Sequence, residues 1–305
     1  MSWRLVADIG GTNIRFAKSA LGEIRSKRSY PVAQFPSFLE ALEFFLRDEG
    51  DDRKSCGSAA IGAAGPIDGE WVQLTNAPWL LDAREISAAL SGADVLLCND
   101  LEAAALAIPH LSSDQLRPLG GGELDVRAVH RMIAINVGTG FGAATLLRTP
   151  AGWMTCPSEA GHMRLSPADF GMHAHPSLHS VEDVLSGRGV LNLYEGLGGV
   201  SAGKSAADIF ASAAIDSAAK RCVETFTEIF GSIVGNLMLA TAAWGGACFY
   251  GSVAAGWTNV ADLPGFRNAF IGKGPMSIRM KTVPLALVTY DDAALVGLAH
   301  VSIPS

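Results

Sequence analysis

Two stretches of this chain share one design, and it restricts the fold more than any other feature. "LVADIGGTNIRFA" covers residues 5–17 and "IAINVGTGFGAATLL" covers 133–147. Each runs an apolar strand into a polar residue, Asp8 or Asn136, then a glycine- and threonine-bearing turn, then a second apolar strand. That pattern predicts an α/β protein built from two halves, with related hairpins facing one ligand. No short-period repeat and no low-complexity linker interrupts it.

The remaining elements fit an α/β plan. "EIRSKRSYPV" alternates like a further strand, and "SFLEALEFFLRDEG" is helical, with Ser37 and Glu40 spaced as a capping box. "CGSAAIGAAG" and "ADVLLCND" read as short buried strands, the second running straight into the helical "LEAAALAIPHL". Asn99 and Asp100 therefore sit at the C-terminal end of a strand, where ligands gather in open α/β sheets.

Composition excludes several classes. With 305 residues, 49% hydrophobic and 17% charged, the chain can bury a large core and is not disordered. Its formal charge of −7 contains no long run of one sign, so neither nucleic acid nor an acidic membrane surface is expected. Cys56, Cys98, Cys156, Cys222 and Cys248 are dispersed and form no C-x-x-C pair, which suits reduced thiols in the cytoplasm. The opening "MSWRLVADIGG" does not read as a signal peptide. Residues 229–250 are apolar enough to suggest a membrane helix, and "GSIVG" within them is a G-x-x-x-G. Asn236 near the middle, the Gly245-Gly246 break and the lack of flanking basic residues favour a buried helix followed by a buried strand.

Two motifs compete for phosphate. "GGVSAGKS", 198–205, matches G-x-x-x-x-G-K-[ST] letter for letter. A P-loop needs a strand before it. Here Val190, Leu193, Tyr194 and Leu197 fall on one face of a helix, so the motif is expected to join two helices. "DIGGTN", 8–13, has the better context, because a glycine turn between strands can aim backbone N–H groups at an anion. Thr12 and Asn13 add donors. Asp8 would repel phosphate directly, but it fits if Mg2+ lies between them, directly or through water. The plain alternative is an ordinary hairpin whose Asp caps the turn.

The motifs in their order resemble the bacterial glucokinases of the hexokinase group, within the actin, heat-shock ATPase and sugar kinase superfamily. "DIGGTNIRFA" resembles that family's first phosphate motif and "NVGTGFG" its second. "CNDLEAAALAIP" resembles the segment with the catalytic aspartate. "SEAGHM" and "VEDVLSGRG" resemble its sugar-binding segments, and "GGACFYGSV" its adenosine motif. The matches run nearly the whole length. ROK-type sugar kinases carry a cysteine-rich zinc segment after the sugar-site histidine, and none follows His162. His173, His175 and His179, with Glu182, offer metal-ligand types, but a polar surface loop is the simpler reading.

The resemblance implies a two-lobed actin-like (ribonuclease H-like) fold with a ligand cleft between lobes. Residues 1–108 with 290–305 form the smaller lobe and 109–289 the larger. It implies ATP-dependent phosphorylation of D-glucose at the 6-hydroxyl, with Asp100 as general base. Asn99, Glu159, His162 and Glu182 would join Asp100 in holding the sugar. Asp8, Gly10, Gly11, Thr12, Asn13, Gly138, Thr139, Gly140 and Gly251 would line the nucleotide. ATP and Mg2+, the latter near Asp8, are the implied cofactors, and a homodimer is the implied assembly. Taken without the resemblance, Asp100 reads equally as a helix cap, Glu159 and His162 as a local turn, and Glu182 as a helix N-terminal charge.

The chain departs from the family pattern at three places. Ser252 replaces a second adenosine-motif glycine, Arg188 stands within "LSGRG" where "LSGPG" is commoner, and the stretch between His162 and Glu182 is shorter than in many members. A P-loop ATPase using 198–205 and a non-catalytic sugar sensor are the alternative functions.

Overall fold

The computed structural model describes residues 2–65, 67–75, 77–166 and 178–303. Most of the short stretch between His162 and Glu182, including His173 and His175, lies outside the described residues. The chain divides into two compact units. The first comprises Met1–Leu111, Thr149–Thr155 and Asp291–Ser305, and the second Ser112–Arg148 and Cys156–Tyr290.

In the first unit, β1 (Trp3–Ile9), β2 (Asn13–Ala20) and β3 (Glu23–Pro31) form an antiparallel meander, and β4 (Cys56–Ala63) precedes a small sheet of β5 (Ile67–Asp68), β6 (Trp71–Gln73) and β7 (Leu80–Asp82). With β8 (Asp94–Asn99) the main sheet reads β3-β2-β1-β4-β8, and β1, β4 and β8 are parallel. One face is covered by α1 (Phe38–Asp48) and α2 (Ala83–Ala89), where Phe16, Phe38 and Phe45 pack together. The other face carries a separate cluster of Val6, Ala17, Ala60, Ala103, Leu295 and Leu298, supplied in part by α3 (Asp100–Ala107). Two apolar faces need two covers, which is why the strands read as continuous apolar runs.

The second unit repeats the order. Following β9 (Leu116–Gly120), β10 (Arg131–Val137), β11 (Phe141–Thr149) and β12 (Gly152–Ser158) form the hairpin side. After α4 (Gly187–Gly196), α5 (Ala206–Ser212) and α6 (Ser217–Thr241) come the parallel partners β13 (Ala247–Tyr250) and β14 (Leu285–Val288). Between these strands lie α7 (Ser252–Trp257), α8 (Leu263–Ile271) and α9 (Ser277–Met280), and the last helix, α10 (Ala293–His300), belongs to the first unit. The sheet order β12-β11-β10-β13-β14-β9 superimposes β10 on the role of β1 and β13-β14 on that of β4-β8. The two hairpins that look alike in sequence hold equivalent places.

The apolar 229–250 segment is the expected helix and strand, α6 then β13. Among the described residues no helix is long and apolar enough to cross a membrane. The G-x-x-x-G serves a helix crossing instead. A Cβ on Gly231 would stand 2.9 Å from Ala269 Cβ, and one on Gly235 would stand 2.7 Å from the Phe270 carbonyl. Both glycines therefore let α6 approach α8 backbone to backbone, over a core of Phe226, Phe230, Phe249, Trp257 and Phe266.

Candidate active site

The first unit gathers carboxylates at the C-terminal ends of its parallel strands. Asp8 pairs in register with Arg15 across β2 and with Gly62 across β4. Its side chain is only 16% exposed, and Arg15 Nη1 lies 3.6 Å from its Oδ2. Burial pushes the Asp8 carboxyl up to about 6, Arg15 opposes the shift, and the charges of Asp100 and Asp292 add to it.

Asp100 opens α3 directly after β8. Asn99 is the N-cap, its Oδ1 accepting from Leu101 N at 2.9 Å, and Asp100 Oδ1 accepts from the same N–H at 2.8 Å. Asn99 thus supplies the cap, and the Asp100 carboxylate is not needed for that purpose alone. Burial raises the Asp100 pKa, partly offset by the backbone donors at its own N–H and that of Leu101. Gly62 makes the approach possible, since a Cβ there would stand 3.3 Å from Ala103 Cβ and 3.8 Å from Asp100 Cα. Buried like-charged oxygens with one nearby guanidinium form a hard, anionic donor set that fits Mg2+. Such a cation takes one or two carboxylates and otherwise waters and phosphates. No group of three metal-ligating side chains occurs among the described residues.

The turn after Asp8 is exposed at Gly10, Gly11, Thr12 and Asn13. Gly10 N–H closes the turn on the Asn13 carbonyl at 3.0 Å, and the Thr12 carbonyl accepts from Val32 N at 2.9 Å. The second hairpin closes similarly, with Gly138 N donating to the Gly140 carbonyl at 3.0 Å. The Gly138 carbonyl in turn accepts from Gly187 N at 2.7 Å, at the start of α4.

Around that second loop the unit assembles further predicted residues. Glu182 Oε2 accepts from Phe141 N at 2.8 Å. A Cβ on Gly140 would stand 3.3 Å from Glu182 Cδ, and one on Gly161 would stand 3.5 Å from Glu182 Oε2. Glu182 is thus not a helix N-terminal charge. The cap of α4 is Ser186, whose side chain accepts from Gly189 N. The Glu182 N–H donates to the Gly161 carbonyl at 2.9 Å, which links it to the 3-10 turn Ala160–His162. Glu159 holds the N-cap position of that turn and His162 ends it, Oε2 to Nε2 at 3.9 Å, with side chains 92% and 72% exposed. Gly251 follows β13 at φ +97°, and a Cβ there would lie 2.6 Å from Asn136 Oδ1 and against the Val137 carbonyl. A Cβ on Gly138 would be 3.8 Å from Gly251 Cα. Thr139 completes the turn between Gly138 and Gly140. Among the departures, Ser252 begins α7, and Arg188 Nη2 reaches Asp183 Oδ1 at 3.9 Å.

Residues that the sequence did not single out lie against these candidates. Arg15 lies within "TNIRFA" and Asp292 within the C-terminal "TYDD", too far apart in the chain for spacing to connect them. Gly62, Gly161 and Gly187 are glycines in small-residue segments, and only packing distinguishes them.

The P-loop-like motif joins α4 to α5, as its helical flanks predict. Lys204 Nζ donates to Tyr194 Oη at 2.8 Å and lies 3.8 Å from Asp216 Oδ2. Ser205 is the N-cap of α5, in a capping box with Asp208. Lysine and serine both have structural work, and the strand that a P-loop requires is replaced by a helix.

Comparison with known proteins places the chain in a family. A family model described as Glucokinase matches residues 5–303. The glucokinase of Mesorhizobium japonicum is 34% identical over 311 residues, covering 97% of this chain and 90% of that one. The glucokinase of Rhizobium meliloti is 34% identical over 310 residues with the same coverage. The crystal structure of a glucokinase from an Antarctic psychrotroph superposes with a TM-score of 0.86 at 31% identity, covering 98% of each chain. A ROK family glucokinase from Streptomyces griseus, solved with glucose and AMPPNP, gives a TM-score of 0.62 at 21% identity over 98% of each chain, a likeness of fold. The duplicated strand order and these neighbours show the actin-like sugar-kinase fold. The chain belongs to the glucokinase family.

Proposed function

We propose that this protein transfers the γ-phosphoryl group of ATP to the 6-hydroxyl of D-glucose, with Asp100 as the general base. The observation that carries the reading is the placement of Asp100, a carboxylate at a strand end whose helix is already capped by Asn99. Family membership supplies the reaction class.

Phosphoryl transfer asks a protein mainly for positioning and charge stabilisation. In this reading Asn99, Glu159, His162 and Glu182 hold the sugar hydroxyls. Asp100 accepts the O6 proton as the new O–P bond forms and the bond from the γ-phosphorus to the β-γ bridging oxygen breaks. The products are glucose 6-phosphate and ADP. Gly10, Gly11, Thr12 and Asn13, with Gly138, Thr139 and Gly140, present backbone and side-chain donors to the phosphates. Gly251, lacking a side chain, lies against adenosine. Asp8 would hold Mg2+, directly or through water, and when bound that ion neutralises charge on the phosphate oxygens.

The five free cysteines support a reducing cytoplasm, and the working assembly is a homodimer, testable by light scattering. The reaction itself is tested by phosphorus NMR of the product of Mg·ATP and glucose. A 6-phosphate ester is expected. Tight glucose binding with no ester formed would instead make the protein a sensor.

A further inference from the structure

The C-terminal helix α10 is held at both ends by basic side chains of the first sheet. At its C-terminal end Arg4 Nη1 donates to the Leu298, Ala299 and Val301 carbonyls at 3.2, 3.2 and 2.7 Å. At the other end Arg15 Nη1 donates to the Asp291 carbonyl at 2.6 Å, and Lys27 Nζ lies 2.6 Å from Asp292 Oδ2. Between them Gly297 presses on α3: a Cβ there would come within 3.0 Å of Ala107 N and overlap the Ala103 carbonyl. The start of α10 is therefore a fixed point relative to β1 and β2.

Arg15 stands between two carboxylates. It is 3.6 Å from Asp8 Oδ2 and 4.0 Å from Asp292 Oδ1. Its hydrogen bond goes to the Asp291 carbonyl, and its contact with Asp8 is an ion pair beyond hydrogen-bond length. A shift of roughly 0.8 Å toward Asp8 would create a charge-assisted hydrogen bond. That bond would occupy the oxygen lone pairs a hydrated divalent cation needs. Asp292, anchored by Lys27, opposes the shift by attracting the guanidinium.

We propose that Asp292, acting through Arg15, is a positioning residue for Asp8. It draws the guanidinium back toward α10 and leaves the Asp8 oxygens open to a hydrated Mg2+ carrying the nucleotide phosphates. The inference rests on the reading of Asp8 as the metal-side carboxylate.

The test is a double-mutant cycle read by calorimetric binding of Mg·AMPPNP, with glucose binding and thermal melting alongside. Asp292→Asn keeps the size of the side chain and a favourable helix-start residue. It is expected to weaken Mg·AMPPNP by roughly tenfold, leaving glucose affinity and melting temperature near the parent's. Asp292→Glu should restore most of the loss. In an Arg15→Gln background Asp292→Asn should have little further effect. A loss that persists undiminished there acts through space and overturns the inference, as does unchanged nucleotide binding in Asp292→Asn alone. Asp8→Asn separates the two readings. If it leaves Mg·AMPPNP binding intact, the assignment of Asp8 fails. If it weakens binding while Asp292→Asn does not, only the role of Asp292 fails.

Discussion

Glu182 closes the second glycine loop by accepting the Phe141 N–H on its Oε2 at 2.8 Å. The contact joins a predicted sugar-binding carboxylate to the turn predicted to meet phosphate, within one unit. A side chain fixed in this way binds a hydroxyl at low entropic cost, because its rotamer is already chosen.

Glu182→Ala is accordingly expected to raise the glucose Kd by about 10- to 100-fold, the range for a lost hydrogen bond to a charged group. The KM for ATP should change much less. Glu182→Gln, which keeps an acceptor for Phe141 N, should fall between. Fluorescence titration with glucose checks this, and unchanged affinity in Glu182→Ala would remove the residue from the sugar site.

Lys204→Ala separates the glucokinase reading from the P-loop alternative. Lys204 contacts Tyr194 and Asp216 on the α4–α5 connection. Its loss should leave kcat within about twofold, since substitutions away from the reacting groups have small effects. A P-loop enzyme would lose nearly all activity. Steady-state kinetics of the purified variant decide between them.

Much of this arrangement is legible in sequence because it is local. The hairpins follow from apolar runs broken by Gly and Thr, and their equivalence follows from their likeness. The Ser37 cap is visible as spacing and forms, with Glu40 N donating to Ser37 Oγ at 3.2 Å. The break at Gly245-Gly246 marks the passage from α6 to β13. Tertiary pairings are not legible in the same way. Glu182 looks like a helix-start charge, and only its contact with Phe141 shows otherwise. The pairing of Arg15 with Asp292 depends on α10 returning to the first sheet, which no spacing reveals. The glycines at 231 and 235 carry a motif shared by membrane helices and by close crossings of water-soluble ones. Only the facing α8 backbone identifies which use is made of them.

Asp8 makes a pH-dependent demand on the fold. Its carboxyl is held at about 6, against 3.8 for an ordinary aspartate. Between these values the native state keeps a proton that the unfolded chain releases, so stability falls as pH rises through the window. The cost is complete above about pH 6 and amounts to at most about 3 kcal/mol. Without nucleotide or metal, Asp8→Asn should therefore raise the melting temperature at pH 7.5 and give little gain near pH 4. Equal gains at both pH values would contradict the burial of an ionised Asp8.

The most direct measurement is ADP release from Mg·ATP with D-glucose, run beside galactose, mannose, fructose and N-acetylglucosamine, for the parent protein and Asp100→Asn. Glucose phosphorylation with Asp100 as base predicts glucose-dependent ADP that falls by about 10²- to 10⁴-fold in Asp100→Asn, the usual contribution of a general base, while glucose still binds. ADP release undiminished in Asp100→Asn, or absent from the parent with every sugar, would contradict it.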